Sequence, residues 1–269
     1  MSLESGVNLA AEQELTGMRA MVTGSSSGIG RAIALELARA GCDVLVHARA
    51  NRQAANQVLH EVRAHGRRSE LLLSDLSDPV QQQSLVTRAW ETWSGLEIWI
   101  NNAGADVLTG ERSQWSFEEK LERLWQVDVL ATVRLSRLAG ELMSRSPADV
   151  GRRCIVNVGW DQAETGMAGD SGQLFATVKA AVMAFSRSLA MTLAPQVRVN
   201  CVAPGWIKTA WGDQAPSYWQ ERAVRESLSG RWGTPEDVAH TVRFLVSPAT
   251  QFVNGQVIHV NGGFRSSNA

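Results

Sequence analysis

The sequence predicts an α/β fold, a single doubly wound parallel sheet with helices on both faces. Seven short segments are apolar nearly throughout, which is typical of strands buried on both faces. Helical patterns alternate with these segments, and repeated strand–helix–strand units form a mostly parallel sheet. No linker or repeat divides the 269 residues, a length that one α/β domain commonly reaches. We therefore predict one domain over residues 18–269, after a flexible N-terminal extension over residues 1–17.

The apolar runs and the helix-capping signals place the individual elements. We predict strands at residues 19–22, 43–48, 70–73, 97–100, 154–158, 198–202 and 257–260, and helices at residues 30–40, 51–64 and 178–193. A long helix should begin at Ser116, because Glu119 follows it at the spacing of a capping box. Thr234 and Pro235 predict the start of a last helix. Residues 206–230 lack a clear strand and are rich in tryptophan, so we expect a lid over a site.

Composition and charge exclude several classes of protein. A hydrophobic content of 44% and a net charge of −1 are ordinary for a folded protein and give no basic excess for binding nucleic acid. No apolar run reaches the roughly 18 residues of a membrane span, and the first residues lack the apolar core of a signal peptide. Cys42, Cys154 and Cys201 are widely spaced beside apolar runs. We expect them to be buried free thiols of a cytoplasmic protein, without a disulfide or a metal site.

A glycine-rich turn follows the first predicted strand and opens the first helix. It reads Gly24-Ser25-Ser26-Ser27-Gly28-Ile29-Gly30. Glycines permit a tight turn and a close approach of the backbone, and the helix N terminus offers unpaired N–H groups to a pyrophosphate. The turn therefore predicts a dinucleotide site, and a tight strand–helix turn without a ligand is the alternative.

The end of the second predicted strand favours NADP(H) over NAD(H). An NAD enzyme would place an acidic residue there, on the ribose hydroxyls. The chain instead reads His47-Ala48-Arg49, and a guanidinium pairs well with the 2′-phosphate of NADP(H). A solvated surface arginine is the alternative in this arginine-rich chain.

Further motifs stand in order along the chain after the predicted strands. They are Asp75-Leu76, Asn101-Asn102-Ala103-Gly104, Lys179 in Lys-Ala-Ala-Val, Asn200, Pro204-Gly205, Thr209 and the closing Gly255 to Gly263 segment. With them the chain resembles the short-chain dehydrogenase/reductase family from Met18 to Phe264. The resemblance implies a single Rossmann-type domain that assembles as a homodimer or homotetramer and acts on a small-molecule substrate.

The resemblance also implies the cofactor contacts. Asp75, with Leu76 beside it, would bond the adenine amine, and Asn102-Ala103-Gly104 would line the adenosine ribose side. Lys179 would bind the nicotinamide ribose. The nicotinamide end would be held by Pro204, Gly205, Ile207 and Thr209.

The positions that carry the family's chemistry depart from its pattern. The family uses a tyrosine as the general acid or base, a lysine that lowers its pKa, a serine that orients the substrate oxygen and an asparagine that supports a proton relay. Here Phe175 stands at the tyrosine position, four residues before Lys179 and hence on the same helix face. Trp160 stands nearest the serine position, and Asp128 stands at the asparagine position.

Three explanations follow from a cofactor cleft without the usual proton donor. A replacement donor is the first, and Asp161 is its leading candidate because burial among apolar side chains raises the pKa of a carboxyl group. Glu164, Asp170 and Tyr218 are further candidates. A substrate that accepts hydride without enzymatic protonation is the second. The third is a silent NADP(H)-binding sensor or the inactive subunit of an oligomer. We expect an atypical NADP(H)-dependent oxidoreductase of a carbonyl, alcohol, imine or enone, and the third explanation is the alternative.

Overall fold

A computed structural model of the chain describes residues 13–146 and 151–265, except the side chains of Trp211 and Gln214. Seven parallel strands form one sheet in the order β3-β2-β1-β4-β5-β6-β7. The strands are β1 Arg19–Val22, β2 Asp43–Ala48, β3 Ser69–Leu73, β4 Ile98–Asn101, β5 Cys154–Val158, β6 Arg198–Pro204 and β7 Val257–Val260. The predicted fold class is confirmed, and the predicted strand bounds differ from these by two residues at most.

Helices cover both faces of the sheet. They are α1 Gly28–Arg39, α2 Arg52–Ala64, α3 Pro79–Thr92, α4 Phe117–Leu124, α5 Ala131–Arg145, α6 Asp170–Leu193, α7 Ala210–Gln214, α8 Ser217–Glu226 and α9 Pro235–Val246. The buried side chains of α1, α2 and α9 pack on one face, and those of α3, α5 and α6 pack on the other. The three cysteines are free and buried, as predicted.

Two helices differ from the prediction in ways that affect the site. Helix α6 begins at Asp170, eight residues before the predicted start at residue 178, so Phe175 and Lys179 both lie on it. The helix predicted from Ser116 has its capping box, but a π-helical segment, Trp125–Leu130, separates α4 from α5. This segment carries Asp128, and π-bulges occur frequently at functional sites.

The N-terminal boundary of the domain is earlier than predicted. Leu15 is fully buried, and its backbone N–H donates to the Ala40 carbonyl at 2.8 Å. Glu14 forms an ion pair with Arg243 on α9. Residues 13–17 therefore pack on the domain, because Leu15 completes its core, and the predicted extension is wrong for them. Residues 1–12 of that extension lie outside the described residues.

Helix α6 is long and apolar enough to span a membrane by length and composition alone, with a mean hydropathy of 1.3. It packs along the sheet beside β5 and β6, where Val182, Met183 and Leu189 are buried. Its apolar composition is therefore accounted for by the core of the domain.

Candidate active site

A cleft of about 830 Å³ opens at the carboxyl ends of β1, β2, β3 and β4. The glycine-rich turn forms its floor. A Cβ at Gly30 would overlap the Gly24 carbonyl and the Asn102 amide, and one at Gly24 would lie 2.8 Å from the Ala103 Cα. Gly28 has a φ of +54°, and Ser27, the N-cap of α1, makes no side-chain cap bond. The glycines thus let the turn pack closely while the first N–H groups of α1 remain available to a ligand.

A buried histidine holds this turn in place, and sequence reasoning missed it. The Nδ1 atom of His47 accepts a hydrogen bond from the Gly24 N–H at 3.0 Å, and its Nε2 lies 3.1 Å from the Ser74 carbonyl oxygen. Burial lowers the pKa of His47 to about 4. The imidazole is therefore neutral at pH 7, and its Nε2 donates to the Ser74 carbonyl. The sequence signal for this role was the position of His47 near the end of a buried strand.

Three guanidinium groups line the end of the cleft nearest β2 and β3. Arg49 is exposed there, and Arg112 and Arg123 join it. Arg123 lies 3.8 Å from the Asp75 carboxylate, which accepts hydrogen bonds from the Ser77 backbone and hydroxyl. The two additional arginines were not predicted, because α4 and the turn before it are distant from β2 in the sequence.

Lys179 and Asp128 form a buried ion pair at the other end of the cleft. The Lys179 Nζ lies 2.9 Å from the Asp128 Oδ1 and 3.3 Å from the Val158 carbonyl oxygen. The Asp128 Oδ2 accepts a hydrogen bond from the Ala105 N–H at 2.9 Å, and a Cβ at Gly104 would lie 2.9 Å from the Asp128 Oδ1. The π-helical segment and the residues after β4 thus fix the carboxylate, and the carboxylate fixes the ammonium.

A second cavity, of about 510 Å³, adjoins the cleft and shares Phe175 and Lys179 with it. Its walls are mostly aromatic and aliphatic. Trp160 contacts Phe175 edge-on, with ring centroids 6.4 Å apart. Trp206, Trp219 and Trp232 line the side formed by the predicted lid and the residues that follow it.

All predicted cofactor residues line one of the two cavities. The cleft is lined by Gly24, Ser26, Ser27, Gly28, Ile29, Gly30, Arg49, Asp75, Leu76, Asn102, Ala103, Gly104, Lys179 and Thr209. Pro204, Gly205 and Ile207 line the apolar cavity. Asn102 also donates to the Thr23 and Gly24 carbonyls, so it joins the ends of β1 and β4.

The predicted replacement donors lie outside both linings. Burial raises the pKa of Asp161 to about 6, as expected, but its Oδ2 accepts from the Asn261 amide at 3.1 Å and packs against Gly205. The sequence left open whether Asp161 points into the cleft, and in the structure its carboxyl points toward Asn261, directly after β7. Glu164 pairs with Arg187 on the surface, and Asp170 is exposed at the first turn of α6. Tyr218 is 58% exposed and packs on Trp219.

Comparisons with known proteins agree with this geometry. The family model described as enoyl-(acyl carrier protein) reductase matches residues 24–265. The chain is 34% identical over 261 residues to the 3-oxoacyl-[acyl-carrier-protein] reductase FabG of Aquifex aeolicus, covering 94% of this chain and 99% of that one. A tropinone reductase homolog of Arabidopsis thaliana is 34% identical over 258 residues, with 93% of each chain covered.

A solved structure shows the same fold. The short chain dehydrogenase from Burkholderia cenocepacia, in complex with NADP, superposes with a TM-score of 0.82 at 31% identity. The match covers 95% of this chain and 100% of that one. The chain belongs to the short-chain dehydrogenase/reductase family of oxidoreductases.

Proposed function

We propose that this protein is an NADP(H)-dependent oxidoreductase of a small carbonyl, alcohol, imine or enone, with an atypical active site. The observation that carries the proposal is the position of Lys179. Its ammonium lies at the junction of the cleft and the apolar cavity, held 2.9 Å from Asp128, at a site where Phe175 supplies no hydroxyl.

The cleft residues fit NADP(H). The open first turn of α1 suits a pyrophosphate, and Arg49, with Arg112 and Arg123 nearby, suits the added negative charge of a 2′-phosphate. Lys179 would hold the nicotinamide ribose, and Thr209 would lie at the nicotinamide end. When bound, NADPH supplies the hydride for reduction.

Lys179 is the proposed source of the proton. An ammonium has three N–H donors, of which one faces Asp128 and one faces the Val158 carbonyl. The third has no hydrogen-bond partner among the described residues, and Lys179 lines the apolar cavity. In reduction, an N–H bond of Lys179 breaks as an O–H or N–H bond forms on the substrate. The neutral amine, beside the Asp128 carboxylate, then regains a proton from water.

Two lysine variants test this role. Lys179→Met should lose both NADPH affinity and turnover, whereas Lys179→Arg should keep a ribose-binding cation that does not release its proton at neutral pH. We expect Lys179→Arg to bind NADPH and to lose turnover of ketones, imines and enones, followed by nicotinamide absorbance. Lys208→Arg, at an exposed lysine, is the matched control. Wild-type turnover in Lys179→Arg would refute the proton transfer.

A silent NADP(H)-binding sensor, or the inactive subunit of an oligomer, is the second candidate. Phe175 favours it, because a positioned general acid is worth roughly 10²–10⁴-fold in rate. Tight NADPH binding by the wild-type protein without turnover across the same substrate panel would establish this candidate and exclude the enzyme.

We also propose that the protein is cytoplasmic and forms a homodimer or homotetramer. Helix α6 supports assembly, since it leaves Ala180, Ala184 and Met191 exposed on the side away from the sheet. Light scattering during gel filtration measures the mass directly, and a monomer of 29.3 kDa would contradict assembly.

A further inference from the structure

The apolar cavity has the lining of a site for a flat, unsaturated ligand. Five aromatic side chains face it, together with aliphatic groups such as Leu108 and Met167; they are Trp160, Phe175, Trp206, Trp219 and Trp232. Arg222 and Glu226 pack behind Trp206, and the indole N–H of Trp206 donates to Glu226 at 3.0 Å. These contacts fix the tryptophan wall, so it offers rigid faces on which a ring system stacks. The volume of about 510 Å³ includes the part lined by Pro204, Gly205 and Ile207, the residues expected to hold the nicotinamide, and it is within the range of small-molecule sites.

The cavity carries no net charge to pair with an ionised substrate. Lys179 is the one charged residue that lines it among the described side chains, and Asp128 already neutralises that ammonium. A ligand carboxylate or ammonium placed here would therefore be desolvated without a partner, which is costly. The lining favours a neutral ligand.

One hydroxyl is placed to contact the ligand far from Lys179. Ser171 lies one helical turn before Phe175 and two turns before Lys179, on the same face of α6, and it lines the cavity. Its hydroxyl makes no hydrogen bond within the part of the chain that the structure describes. The Cα atoms of residues 171 and 179 are about 12 Å apart along an α-helix, and the long lysine side chain leans toward the N terminus. The two polar groups are thus separated by roughly the length of a two-ring system.

We propose that the substrate is a neutral, fused-ring aromatic carbonyl compound that carries a second neutral polar group, which Ser171 binds. The reacting carbonyl lies at Lys179, the rings pack on the tryptophans, and the second oxygen lies at Ser171. Ser171 is a positioning and specificity residue in this arrangement. The inference rests on the proposed function for the identity of the reacting end, but it concerns binding.

Three ligands that differ at one position test it. They are 1-tetralone, 6-hydroxy-1-tetralone and 6-carboxy-1-tetralone, titrated into the cofactor-free protein, so that the cation of an oxidised nicotinamide is absent, and followed by calorimetry and tryptophan fluorescence. We expect the hydroxy compound to bind about three- to tenfold more tightly than 1-tetralone, the value of one neutral hydrogen bond. The carboxylate should bind at least about tenfold more weakly than 1-tetralone.

Ser171→Ala should reduce the preference for the hydroxy compound to about one, without changing the affinity for 1-tetralone. Ser84→Ala, at an exposed serine of α3 that makes no side-chain bond among the described residues, is the control and should keep the preference. Equal affinities for the three ligands, tighter binding of the carboxylate, or a preference that survives in Ser171→Ala would each overturn the proposal.

The result of this binding test can be distinguished from the result of the turnover test of the proposed function. The expected order of affinities without NADPH oxidation would retain the proposed class of ligand and reject the enzyme. Oxidation of NADPH with small polar ketones, while none of the three ligands binds, would retain the enzyme and reject the substrate class.

Discussion

The ion pair between Lys179 and Asp128 should be one of the most strongly coupled contacts of the protein. The two charges lie 2.9 Å apart, and their side chains are 13% and 2% exposed. At an effective dielectric constant of about 20, Coulomb's law gives roughly 6 kcal/mol of attraction at that distance. Desolvation of both groups offsets part of this attraction, but removing one partner alone leaves a buried charge and typically costs about 3–5 kcal/mol. We expect Asp128→Asn and Lys179→Met each to lower the free energy of unfolding by that amount.

A double-mutant cycle isolates the interaction. Because the double variant leaves neither charge unpaired, its loss should be smaller than the sum of the single losses by about 2–4 kcal/mol. Urea unfolding at a fixed protein concentration measures all four proteins. The exposed pair between Arg187 and Glu164 has the same 2.9 Å separation, and its coupling should stay below about 1 kcal/mol. A buried coupling no larger than that of the exposed pair would refute the reasoning.

Three further predictions concern the site and its surroundings. Phe175→Tyr places a phenol four residues before Lys179, so ketone reduction should rise at least about 10²-fold, and an unchanged rate of NADPH consumption would contradict this. Arg49→Ala should weaken NADPH binding by roughly tenfold to a hundredfold while leaving NADH binding unchanged, which calorimetry with both cofactors decides. Burial lowers the pKa of His47 to about 4 and raises that of Asp161 to about 6. Between about pH 4 and 6 the unfolded chain therefore holds one more proton at His47 than the folded chain, and one fewer at Asp161. The two groups change the free energy of unfolding by roughly +1.4 and −1.4 kcal/mol per pH unit, so their contributions cancel. Asp161→Asn removes the opposing contribution, so its free energy of unfolding should fall more steeply than that of the wild type when the pH falls from 6 to 4. Urea unfolding across this range measures both, and parallel dependences on pH would argue against the assignment.

The sheet was predictable because its strands are buried on both faces and read as continuous apolar runs. Helix α3 was not predicted, since three glutamines, Gln81 to Gln83, interrupt its apolar pattern near the start. Its N-terminal signal was nevertheless present, because the Asp78 side chain caps the Val80 and Gln81 N–H groups ahead of Pro79 at the first position.

Asp161 shows how a local rule would have improved the site prediction. Trp160, two residues after the end of β5, has an extended backbone with φ −156° and ψ 137°, and Asp161 begins a short 3₁₀ turn. Successive side chains of an extended segment point to opposite sides. The Trp160 side chain lines the cavity, and the Asp161 side chain points to the other side, toward Asn261. The sequence supported the raised pKa of the carboxyl but not its orientation, and the alternation rule supplies the orientation.

The pairing of Lys179 with Asp128 was not predictable from the sequence, because they are 51 positions apart and the π-helical segment directs the carboxylate. This pairing affects how the residues at the family's expected catalytic positions are interpreted. The buried side-chain atoms without partners in the described chain include Asp161 Oδ1, Gln162 Nε2 and Ser227 Oγ, whereas both members of the ion pair are hydrogen-bonded. An active site that had merely lost its phenol would leave a buried ammonium facing neutral groups, at a cost in stability. Here Asp128, at the position where the family resemblance implies an asparagine, compensates that charge, so the lysine is held by the protein before any cofactor arrives. A lysine held in this way is already in place when a cofactor or a neutral substrate binds, and the arginine substitution at position 179 tests the proposed proton transfer without removing the charge.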